Sequence, residues 1–576
     1  MTKTTNEQQG SPRIAAVGSV GRGRLRQAAI YSAGVFGTRP SIPTSWPDLD
    51  RLARRKLSRR GYGYVAGGAG SEATMRADRD AFERRQLVPR MLRDVAVRDT
   101  TAALFGRRLP VPLLLAPIGA LGILHPEADL AVAKAAAEHG IPFIFSNQAS
   151  RPMEECAAAM GSSPRWFQLY WSTSDDLVAS LVGRAEAAGC EAIVVTLDTT
   201  MLGWRPRDLD RGYLPFALGD GIAQYTSDPV FRDLLAGRAS GPSATPTVRQ
   251  IPSLVRSLVR MSRNAPGRPM ANLAFARAAV QTFLETYSRP SLTWADLPTL
   301  RGLTSLPIVL KGIQHADDAR RAVDAGADGI IVSTHGGRQI DGGRGSLDSL
   351  PGVVDAVDGA IPVLMDSGIR GGADVLKAVA LGAAVCLGRP YALALGVAGS
   401  AGVSELLSNV IAEFDLTLGL CGYASVADVG PEAVVSRFWS DPKGRGAAIQ
   451  YGGVLEGGEL SCGAVDLGRI AGDQGSEGER WSDHLRSTPD RSGTGSGVAG
   501  RRPVDQGGLQ YQARPSVHQH EGAVRKTGPR EFVQAPAVRS GDQPLRVQRA
   551  IQILGARRRR SGVHGLPERP ISRSPA

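Results

Sequence analysis

The sequence predicts a (β/α)8 barrel, the TIM-barrel class of α/β fold, with a long insertion after the fourth strand and a disordered C-terminal tail. Two observations predict the barrel: eight apolar, strand-like runs follow one another, and Ala-rich helical patterns separate most of them. Eight β-α repeats in one chain are typical of this barrel, whose chemistry lies at the C-terminal ends of the strands. A doubly wound open sheet is the alternative, but no GxGxxG motif follows an early first strand.

The strand-like runs are rich in β-branched and other apolar residues, and polar residues, Gly or Pro bound them. They cover residues 113–118, 142–146, 166–170, 192–198, 307–313, 329–335, 362–367 and 384–389. The clearest helical patterns cover residues 127–138, 175–188, 316–325 and 372–380. This alternation places the strands in one parallel sheet with helices outside it.

The N-terminal region precedes the repeats. Residues 1–43 are rich in Gly, Ser, Thr and Arg, which predicts a flexible arm whose end docks on the core through an apolar patch at 28–36. The barrel domain then covers residues 44–437. It begins with a helical segment at 45–66, for which Ser45 is the N-cap and Pro47 lies in the first turn.

The connection after the fourth strand is far longer than the few residues usual for such loops. It runs from residue 199 to about 306, and we predict a lid or specificity segment at about 209–290. Helices are predicted near 247–260 and 270–287. An insertion of this size beside the strand ends can cover a site on the barrel rim.

The C-terminal region differs from the barrel in composition. Residues 441–576 contain 19 Arg and 2 Lys against 14 acidic residues, so their net charge is +7. This is more than half of the formal net charge of +13 of the whole chain. We predict that this basic, Gly-rich tail, residues 438–576, is disordered. Because most of the excess charge lies outside the barrel, and the barrel lacks aromatic-rich basic patches, we expect no nucleic acid partner.

Cysteine usage and apolar runs indicate the compartment. Five cysteines are scattered without CxxC or Cys/His spacing, so we expect neither a disulfide framework nor a metal site. The longest apolar run, residues 109–124, is short and holds three prolines, so we expect no membrane segment. The N-terminus has no apolar signal segment. These features predict a cytoplasmic location.

Residues 329–341 combine an apolar run with two glycines and groups that move protons or bind anions. His335 ends the run and Arg338 follows three residues later, which suits a base beside a carboxylate-binding guanidinium. A buried strand with a Gly-rich turn is the alternative for this segment alone. Other strand ends also carry polar or special residues, which favours a functional rim: residues 116–119, Ser146, Gln168, Tyr170, Thr196, Asp198, Lys311, Ser333 and Asp366.

Two glycine-rich stretches follow the seventh and eighth strands, where TIM barrels bind phosphate. They are residues 368–372, which contain Gly368 and Arg370, and the dipeptide Gly388-Arg389. Backbone N–H groups and a guanidinium can neutralise a phosphate dianion there, which predicts a phosphorylated cofactor or substrate. Tight turns alone are the alternative role for these glycines.

Several longer motifs are specific in combination: Tyr64-Val-Ala-Gly-Gly, Ala116-Pro-Ile-Gly, Phe167-Gln-Leu-Tyr, Gly203-Trp-Arg-Pro-Arg-Asp-Leu, Ser227-Asp-Pro-Val-Phe, Leu310-Lys-Gly-Ile-Gln-His, His335-Gly-Gly-Arg-Gln and Asp366-Ser-Gly-Ile-Arg. Over residues 45–431 the sequence resembles the FMN-dependent (S)-2-hydroxy acid oxidising enzymes. The Trp-Arg-Pro-Arg-Asp and Asp-Pro-Val-Phe stretches favour the lactate 2-monooxygenase branch over the glycolate oxidase branch.

The resemblance implies FMN as cofactor and a small L-2-hydroxy acid as substrate. It makes His335 the base, which takes the hydroxyl proton during hydride transfer or the C2 proton in a carbanion mechanism, and both remain open. Asp198 would orient the imidazole, and Lys311 would stabilise the reduced, anionic flavin. The implied substrate-binding residues are Tyr64, Tyr170, Arg205, His335 and Arg338. The implied cofactor-binding residues are Pro117, Ile118, Gly119, Ser146, Gln168, Thr196, Lys311, Ser333, Asp366, Gly368, Arg370, Gly388 and Arg389.

The sequence departs from the family pattern in two places beside the expected flavin site. Thr334 stands where the family's Ser-Asn-His triplet has Asn, and Asn147-Gln148 stands where a Ser or Thr and then an apolar or aromatic residue are common. These departures put the exact substrate in doubt. No proposed catalytic position is lost, although an inactive relative of the fold is an alternative.

The resemblance leaves the outcome of the reaction open. L-Lactate and O2 give acetate, CO2 and water if the keto acid stays bound with peroxide, and we hypothesise that Gly119 and the long insertion favour this retention. The alternatives are an oxidase or dehydrogenase that releases the 2-keto acid, and a non-catalytic flavin- or phosphate-binding barrel. Family members are commonly tetramers or octamers, so a homo-oligomer is expected.

Overall fold

The computed structural model describes residues 21–236 and 273–437, with three isolated positions between these ranges. Eight parallel strands form a closed barrel in which each strand pairs with its neighbours in the sequence. We number them β1 to β8: Leu113–Leu115, Phe143–Phe145, Arg165–Leu169, Ile193–Thr196, Ile308–Ile313, Gly329–Val332, Val363–Met365 and Ala384–Leu387. The predicted (β/α)8 barrel is confirmed, and most strands are shorter than the apolar runs that predicted them.

Helices surround the barrel. Those between and after the strands are Ala128–His139, Met153–Met160, Asp175–Ala187, Leu297–Leu303, Ala316–Asp324, Ser346–Val357, Gly372–Ala380 and Arg389–Leu420. The four predicted helical patterns agree with these bounds to within one residue. Short 3-10 segments are Leu121–Ile123, Pro215–Leu218, Trp294–Asp296, Val426–Asp428 and Pro431–Ala433.

Strand side chains alternate between the barrel interior and the helix layer, and both sides are buried. The interior is filled by a cluster that includes Leu114, Ile144, Trp166, Val194, Val309, Ile331, Leu364 and Cys386. A hairpin of Ala102–Leu104 and Arg107–Leu109 closes the N-terminal end, where the rings of Phe105 and Trp166 are 5.4 Å apart. The C-terminal end of the strands therefore remains as the place for a site.

The N-terminal segment differs from the prediction. Residues 22–35 form the helix Arg22–Val35, so the prediction of a flexible arm is wrong for them. Asp415 accepts a hydrogen bond from the N–H of Gly23 at 2.8 Å, and Arg26 pairs with Glu405 at 2.8 Å. Polar contacts therefore dock this helix, whereas much of the expected apolar patch is exposed, including Tyr31, Val35 and Phe36.

The segment predicted as one helix at 45–66 forms two, Trp46–Lys56 and Arg59–Ala66. Ser45 caps the first as predicted, because its hydroxyl accepts the N–H of Asp48 at 3.4 Å. Ser58 caps the second in the same way. The helix Ala73–Arg84 and the short strand Arg85–Leu87 follow, and this strand pairs with Val434–Ser436.

The insertion between β4 and β5 contains the described helices Pro206–Leu209, Ala223–Thr226, Pro229–Ala236 and Leu273–Thr286. The last agrees with the helix predicted at 270–287. The helix predicted at 247–260 and the predicted tail lie outside the described residues. Arg184 anchors the insertion, because it donates to the carbonyl of Gln224 at 2.7 Å and pairs with Asp228 at 3.0 Å.

By length and composition, one described helix, Arg389–Leu420, could cross a membrane. Its backbone leaves the helical region at Ala398 and Gly399. It packs against Ala128–His139 and Gly372–Ala380, and half of its most apolar window is buried. These features are typical of a core helix in the outer layer of a barrel.

Candidate active site

His335 and Asp198 form a hydrogen-bonded pair at the rim above β6 and β4. His335 Nδ1 lies 2.8 Å from Asp198 Oδ1 and 3.2 Å from Thr199 Oγ1. Burial lowers the pKa of His335, although the carboxylate of Asp198 acts in the opposite direction. Burial opposes ionisation of Asp198, but the charges of His335 and Lys311 lower its pKa to about 2 overall. The pair therefore presents a neutral imidazole oriented by a carboxylate, as a general base requires.

The turn that carries the imidazole has an unusual backbone. His335, Gly336 and Gly337 have φ values of 56°, 65° and 68°, all in the left-handed region. A non-glycine residue held there costs about 1–3 kcal/mol, so surrounding contacts must enforce it. The N–H of His335 donates to Ser333 Oγ at 3.0 Å, and that of Gly336 donates to Ser367 Oγ at 2.9 Å. Neighbouring strand ends thus hold the imidazole in place.

Lys311 projects from β5 into the barrel mouth. Its Nζ donates to Ser333 Oγ at 2.7 Å and pairs with Asp366 Oδ2 at 3.0 Å. Burial favours the neutral amine, but the carboxylates of Asp366 and Asp198 reverse this effect and raise the pKa of Lys311. The cavity wall therefore holds a permanent cation that can stabilise negative charge on a bound group.

Arg205 and Arg338 place two guanidinium groups beside the imidazole. Arg205 donates to the carbonyl of Arg338 at 3.0 Å and to Gln339 Oε1 at 2.8 Å. Arg338 donates to the carbonyls of Tyr64 and Gly67, and its guanidinium lies 4.8 Å from the centre of the Tyr64 ring. Burial and the like charge of Arg205 lower the pKa of Arg338 to about 9. Two such cations that face one cavity form a site for a carboxylate.

A second pair of guanidinium groups, Arg370 and Arg389, lies after β7 and at the end of β8. Arg389 donates to two main-chain carbonyls at 3.0 Å each, and Arg370 Nε has no hydrogen-bond partner among the described residues. Burial lowers the pKa of each to about 10. Neither forms an ion pair with a described residue. Buried cations without a counter-ion fit a bound phosphate.

Gly368 and Gly388 allow close approach on this side of the cavity. Gly368 has a φ of 84°, and a Cβ there would lie 2.6 Å from the carbonyl oxygen of Asp78, which requires glycine. A Cβ at Gly388 would meet Ala116 and Ile118 only at 3.8 Å. At Gly388, therefore, the described neighbours do not explain the missing side chain, and both glycines line the cavity.

Besides Arg370 Nε, two buried polar atoms of cavity-lining residues lack hydrogen-bond partners in the described part of the chain: Gln168 Nε2 and Thr196 Oγ1. Both residues line the cavity. An unpaired buried polar group costs about 1–3 kcal/mol, so a polar atom on a ligand would stabilise each. The polar edge of the flavin ring of FMN can supply these partners. The phosphate of FMN can face Arg370 and Arg389. The residues present therefore fit the predicted cofactor, FMN.

One cavity joins these groups, with about 1400 Å³ of empty space that continues into open solvent. Ser146, Asp198 and Ser333 lie behind its wall: Asp198 bonds His335, Ser333 bonds Lys311, and Ser146 Oγ accepts the N–H of Gln148. The other predicted site residues all line the cavity: Tyr64, Pro117, Ile118, Gly119, Gln168, Tyr170, Thr196, Arg205, Lys311, His335, Arg338, Asp366, Gly368, Arg370, Gly388 and Arg389.

Sequence reasoning missed other residues of this site. Thr199 and Ser367 line the cavity. So do five apolar or aromatic side chains of the insertion: Leu202, Leu214, Phe216, Leu284 and Tyr287. Gln339 also matters because it accepts from Arg205. Ser367 and Gln339 lie inside motifs that were recognised, so a signal was present for them. The insertion residues carry no pattern that marks them.

Comparison with known proteins gives consistent results. The family described as FMN-dependent dehydrogenase matches residues 53–436. The L-lactate oxidase of Lysinibacillus sphaericus (strain C3-41) is 41% identical over 386 residues, which cover 67% of this chain and 91% of that protein. The 4-hydroxymandelate oxidase of Amycolatopsis orientalis is 42% identical over 383 residues, which cover 66% of this chain and 95% of that protein.

Solved structures agree with the sequence relatives. The crystal structure of mandelate oxidase with (S)-4-hydroxymandelic acid is 38% identical and has a TM-score of 0.56, and the match covers 68% of this chain and 98% of that one. FMN, when bound, supplies the acceptor for the two electrons of an alcohol oxidation. The chain therefore belongs to the FMN-dependent dehydrogenase family and is an FMN-dependent α-hydroxy acid oxidoreductase.

Proposed function

We propose that this enzyme oxidises L-lactate with O2 and converts it to acetate, CO2 and water, as a lactate 2-monooxygenase does. The observation that carries the proposal is the composition of the cavity. Apolar side chains of the insertion, including Leu214, Phe216 and Tyr287, line the same cavity as His335 and the guanidinium of Arg338. This wall suits a small alkyl substituent beside a carboxylate.

In this proposal Arg205 and Arg338 bind the substrate carboxylate, and Tyr64 and Tyr170 hydrogen-bond the substrate. Burial raises the pKa of the Tyr170 hydroxyl, so this group stays protonated and donates. His335 takes the proton from the substrate, and Asp198 stabilises the imidazolium that forms. Lys311 stabilises the negative charge that the cofactor gains.

The outcome depends on whether the keto acid stays in the cavity. Peroxide can decarboxylate bound pyruvate to acetate, CO2 and water, whereas early release leaves pyruvate and hydrogen peroxide. Gly119 supports retention, because the missing side chain leaves room for Gln148 in the cavity wall. A Cβ at this position would lie 3.0 Å from Gln148 Cβ and 3.2 Å from its carbonyl oxygen, so alanine would displace Gln148.

A second candidate is an oxidase that releases the 2-keto acid. The names of the relatives favour it, since L-lactate oxidase and 4-hydroxymandelate oxidase are both at least 41% identical to this chain. The apolar wall also suits an aryl substituent. The substrate and the fate of the keto acid must therefore be tested separately.

The substrate is tested by anaerobic titration of the FMN-loaded enzyme with L-lactate, (S)-mandelate and glycolate. We expect L-lactate to bleach the flavin absorbance most rapidly, and faster bleaching by (S)-mandelate would contradict the proposal. The product is then tested in air with and without catalase. We expect acetate in both cases, and pyruvate with hydrogen peroxide would establish the oxidase instead.

The variant Gly119→Ala sharpens the product test. We expect its acetate fraction to fall and its pyruvate and peroxide fractions to rise, because a displaced Gln148 changes the wall that retains the keto acid. Stopped-flow release of pyruvate from the variant must be faster than from the parent. Equal release rates would remove Gly119 from the proposal without affecting the choice of substrate.

We also propose a cytoplasmic location and a homo-oligomeric state for the enzyme. A cytoplasmic location is supported by the four described cysteines, all of which are free. A homo-oligomer, either tetramer or octamer, is supported by large exposed apolar side chains such as Trp204, which is 73% exposed. Fractionation of the source cells and light scattering of the purified protein test these two statements.

A further inference from the structure

Thr334, which departs from the family pattern, hydrogen-bonds a buried carboxylate. Its Oγ1 donates to Asp78 Oδ2 at 2.8 Å and accepts the N–H of Gly337 at 3.1 Å. Thr334 is 5% exposed, and Asp78, on the helix Ala73–Arg84, is 1% exposed. Neither residue lines the cavity. The threonine hydroxyl thus joins the beginning and the end of the left-handed turn that carries His335.

The same carboxylate also holds the far end of the loop. Asp78 Oδ1 accepts the N–H of Ser346 at 3.0 Å, and Ser346 is the first residue of the helix Ser346–Val357. Asp78 therefore spans the whole loop from 334 to 346, which contains both His335 and Arg338. Helix Ala73–Arg84 also packs closely against the turn, because a Cβ at Gly337 would lie 2.6 Å from the backbone nitrogen of Met75.

The turn needs support from both sides. The strand side provides Ser333 and Ser367, which accept the N–H groups of His335 and Gly336. On the side of the helix Ala73–Arg84, Thr334 and Asp78 supply hydrogen bonds to the turn. Burial raises the pKa of Asp78 to about 6, so above that pH the hydroxyl of Thr334 donates to a charged carboxylate, which is a stronger acceptor than a neutral group.

We propose that Thr334 and Asp78 form a positioning pair that holds the left-handed turn, and with it the imidazole of His335, in the geometry for proton transfer. The inference rests on the family's reaction, so it holds for whichever 2-hydroxy acid is the substrate. Thr334 does not touch substrate or cofactor in this proposal. It acts through the backbone of the turn.

The first test compares Thr334→Val, which removes the hydroxyl and keeps the shape, with Thr334→Ser, which keeps the hydroxyl. Both are assayed with the fastest substrate among L-lactate, (S)-mandelate and glycolate, per mole of bound FMN. We expect Thr334→Val to lower kcat/KM about 10- to 100-fold, since a misplacement of about 1 Å can cost 10²-fold. Thr334→Ser is expected to stay within about 3-fold of the parent.

A positioning role also predicts a change that simple destabilisation does not. If the imidazole moves away from Asp198, the carboxylate raises the pKa of His335 less. The acid limb of the kcat/KM profile must then move to lower pH in Thr334→Val. Titration of Asp78 would instead move the limb to higher pH, because the lost hydroxyl of Thr334 lowers the pKa of Asp78 in the parent. The control is Thr282→Val, because Thr282 is a fully buried threonine whose hydroxyl has no partner among the described residues. It should leave the profile unchanged.

Asp78→Asn keeps the proposal testable if Thr334→Val does not fold. An amide has one acceptor oxygen for the two donors that the carboxylate serves, so activity and the acid limb should change in the same direction. In the double variant the losses must not multiply, because both changes break one interaction. Independent losses, equal losses in the valine and serine variants, or an unchanged pH profile would each overturn the proposal.

Discussion

The two sides of the barrel mouth differ in how their charges are balanced. On the side of β4 to β6, the proton-transfer groups have protein partners: His335 meets Asp198 at 2.8 Å, and Lys311 meets Asp366 at 3.0 Å. On the side of β7 and β8, the guanidinium groups of Arg370 and Arg389 form no ion pair with any residue that the structure describes, and the same holds for Arg205 and Arg338 beside the imidazole. The first side is complete in the protein alone, whereas the second is completed by anions.

This difference separates the tasks of the site. Paired groups keep their protonation states and geometry before any ligand arrives, which is what proton transfer requires. Unpaired buried cations are costly in the free protein, and burial accordingly lowers the pKa of Arg338 to about 9 and that of Arg389 to about 10. A bound phosphate or carboxylate removes that cost. Anion affinity therefore comes partly from removing the free-energy cost of these buried, unpaired cations.

The largest expected effect comes from removing the base on the paired side. His335→Asn should lower kcat/KM by about 10²–10⁴-fold, the usual contribution of a general base. FMN content should stay near that of the parent, because the phosphate-binding cations are untouched. Stopped-flow reduction by substrate, measured per bound FMN, checks this. More than a tenth of the parental rate would show that another group takes the proton.

Breaking the pair without removing the base should have a smaller effect. Asp198→Asn keeps the shape but removes the charge that raises the pKa of His335, so we expect a loss on the order of 10²-fold in kcat. Parental activity depends on neutral imidazole and falls as the pH decreases through the pKa of His335. In the variant this decline must begin at a lower pH. A decline at higher pH would contradict the proposed pairing.

The positions of the site residues and their contacts were predictable to different degrees. The eight strands could be predicted because each is a short apolar run between polar or glycine-rich segments. The rim followed, because parallel strands bring their C-terminal ends together. His335, Lys311 and Arg389 could therefore be placed from their positions at strand ends. The family resemblance also implied Asp198 as the partner of His335, whereas the contacts of Lys311 and Arg389 and the burial of all three residues could not be predicted.

What remained hidden depends on contacts between distant parts of the chain. Asp78 lies 256 residues from Thr334, and the contact partner of Gly23 lies 392 residues away at Asp415. No local pattern marks such pairs. The cavity-facing residues of the insertion were missed for a related reason: their direction depends on how Arg184 and other anchors fold the insertion over the barrel. Thr334 was visible as a departure from the family motif, but its meaning required its partner.

Among the unpaired cations, Arg338→Lys tests recognition of the substrate carboxylate. A lysine keeps the charge but loses the planar fork, so we expect kcat/KM to fall about 10- to 100-fold through a higher KM. The residue lies beside the base but does not bond it, so kcat should change less than in the two previous variants. Steady-state kinetics over a wide substrate range separate the two constants. A fall in kcat alone would assign Arg338 to the chemical step.

The smallest expected effect tests whether anions complete the second side. FMN-free protein should gain about 1–2 °C in Tm when inorganic phosphate is added at roughly ten times its Kd, because binding to the folded state alone adds about 1.4 kcal/mol. Arg389→Met should abolish this gain, because it removes one of the unpaired cations. The effect is measured by thermal unfolding against sodium chloride of equal ionic strength.

The matched control is Arg108→Met, which removes an exposed guanidinium from the hairpin at the opposite end of the barrel. It should keep the full response to phosphate, because its salt bridge with Asp99 is exposed and contributes little. If all three proteins respond equally, phosphate acts as a general stabilising salt, and the cations of β7 and β8 need no anion. A response that only Arg389→Met loses would mean that Arg389 binds phosphate and that a bound anion relieves the cost of burying this cation.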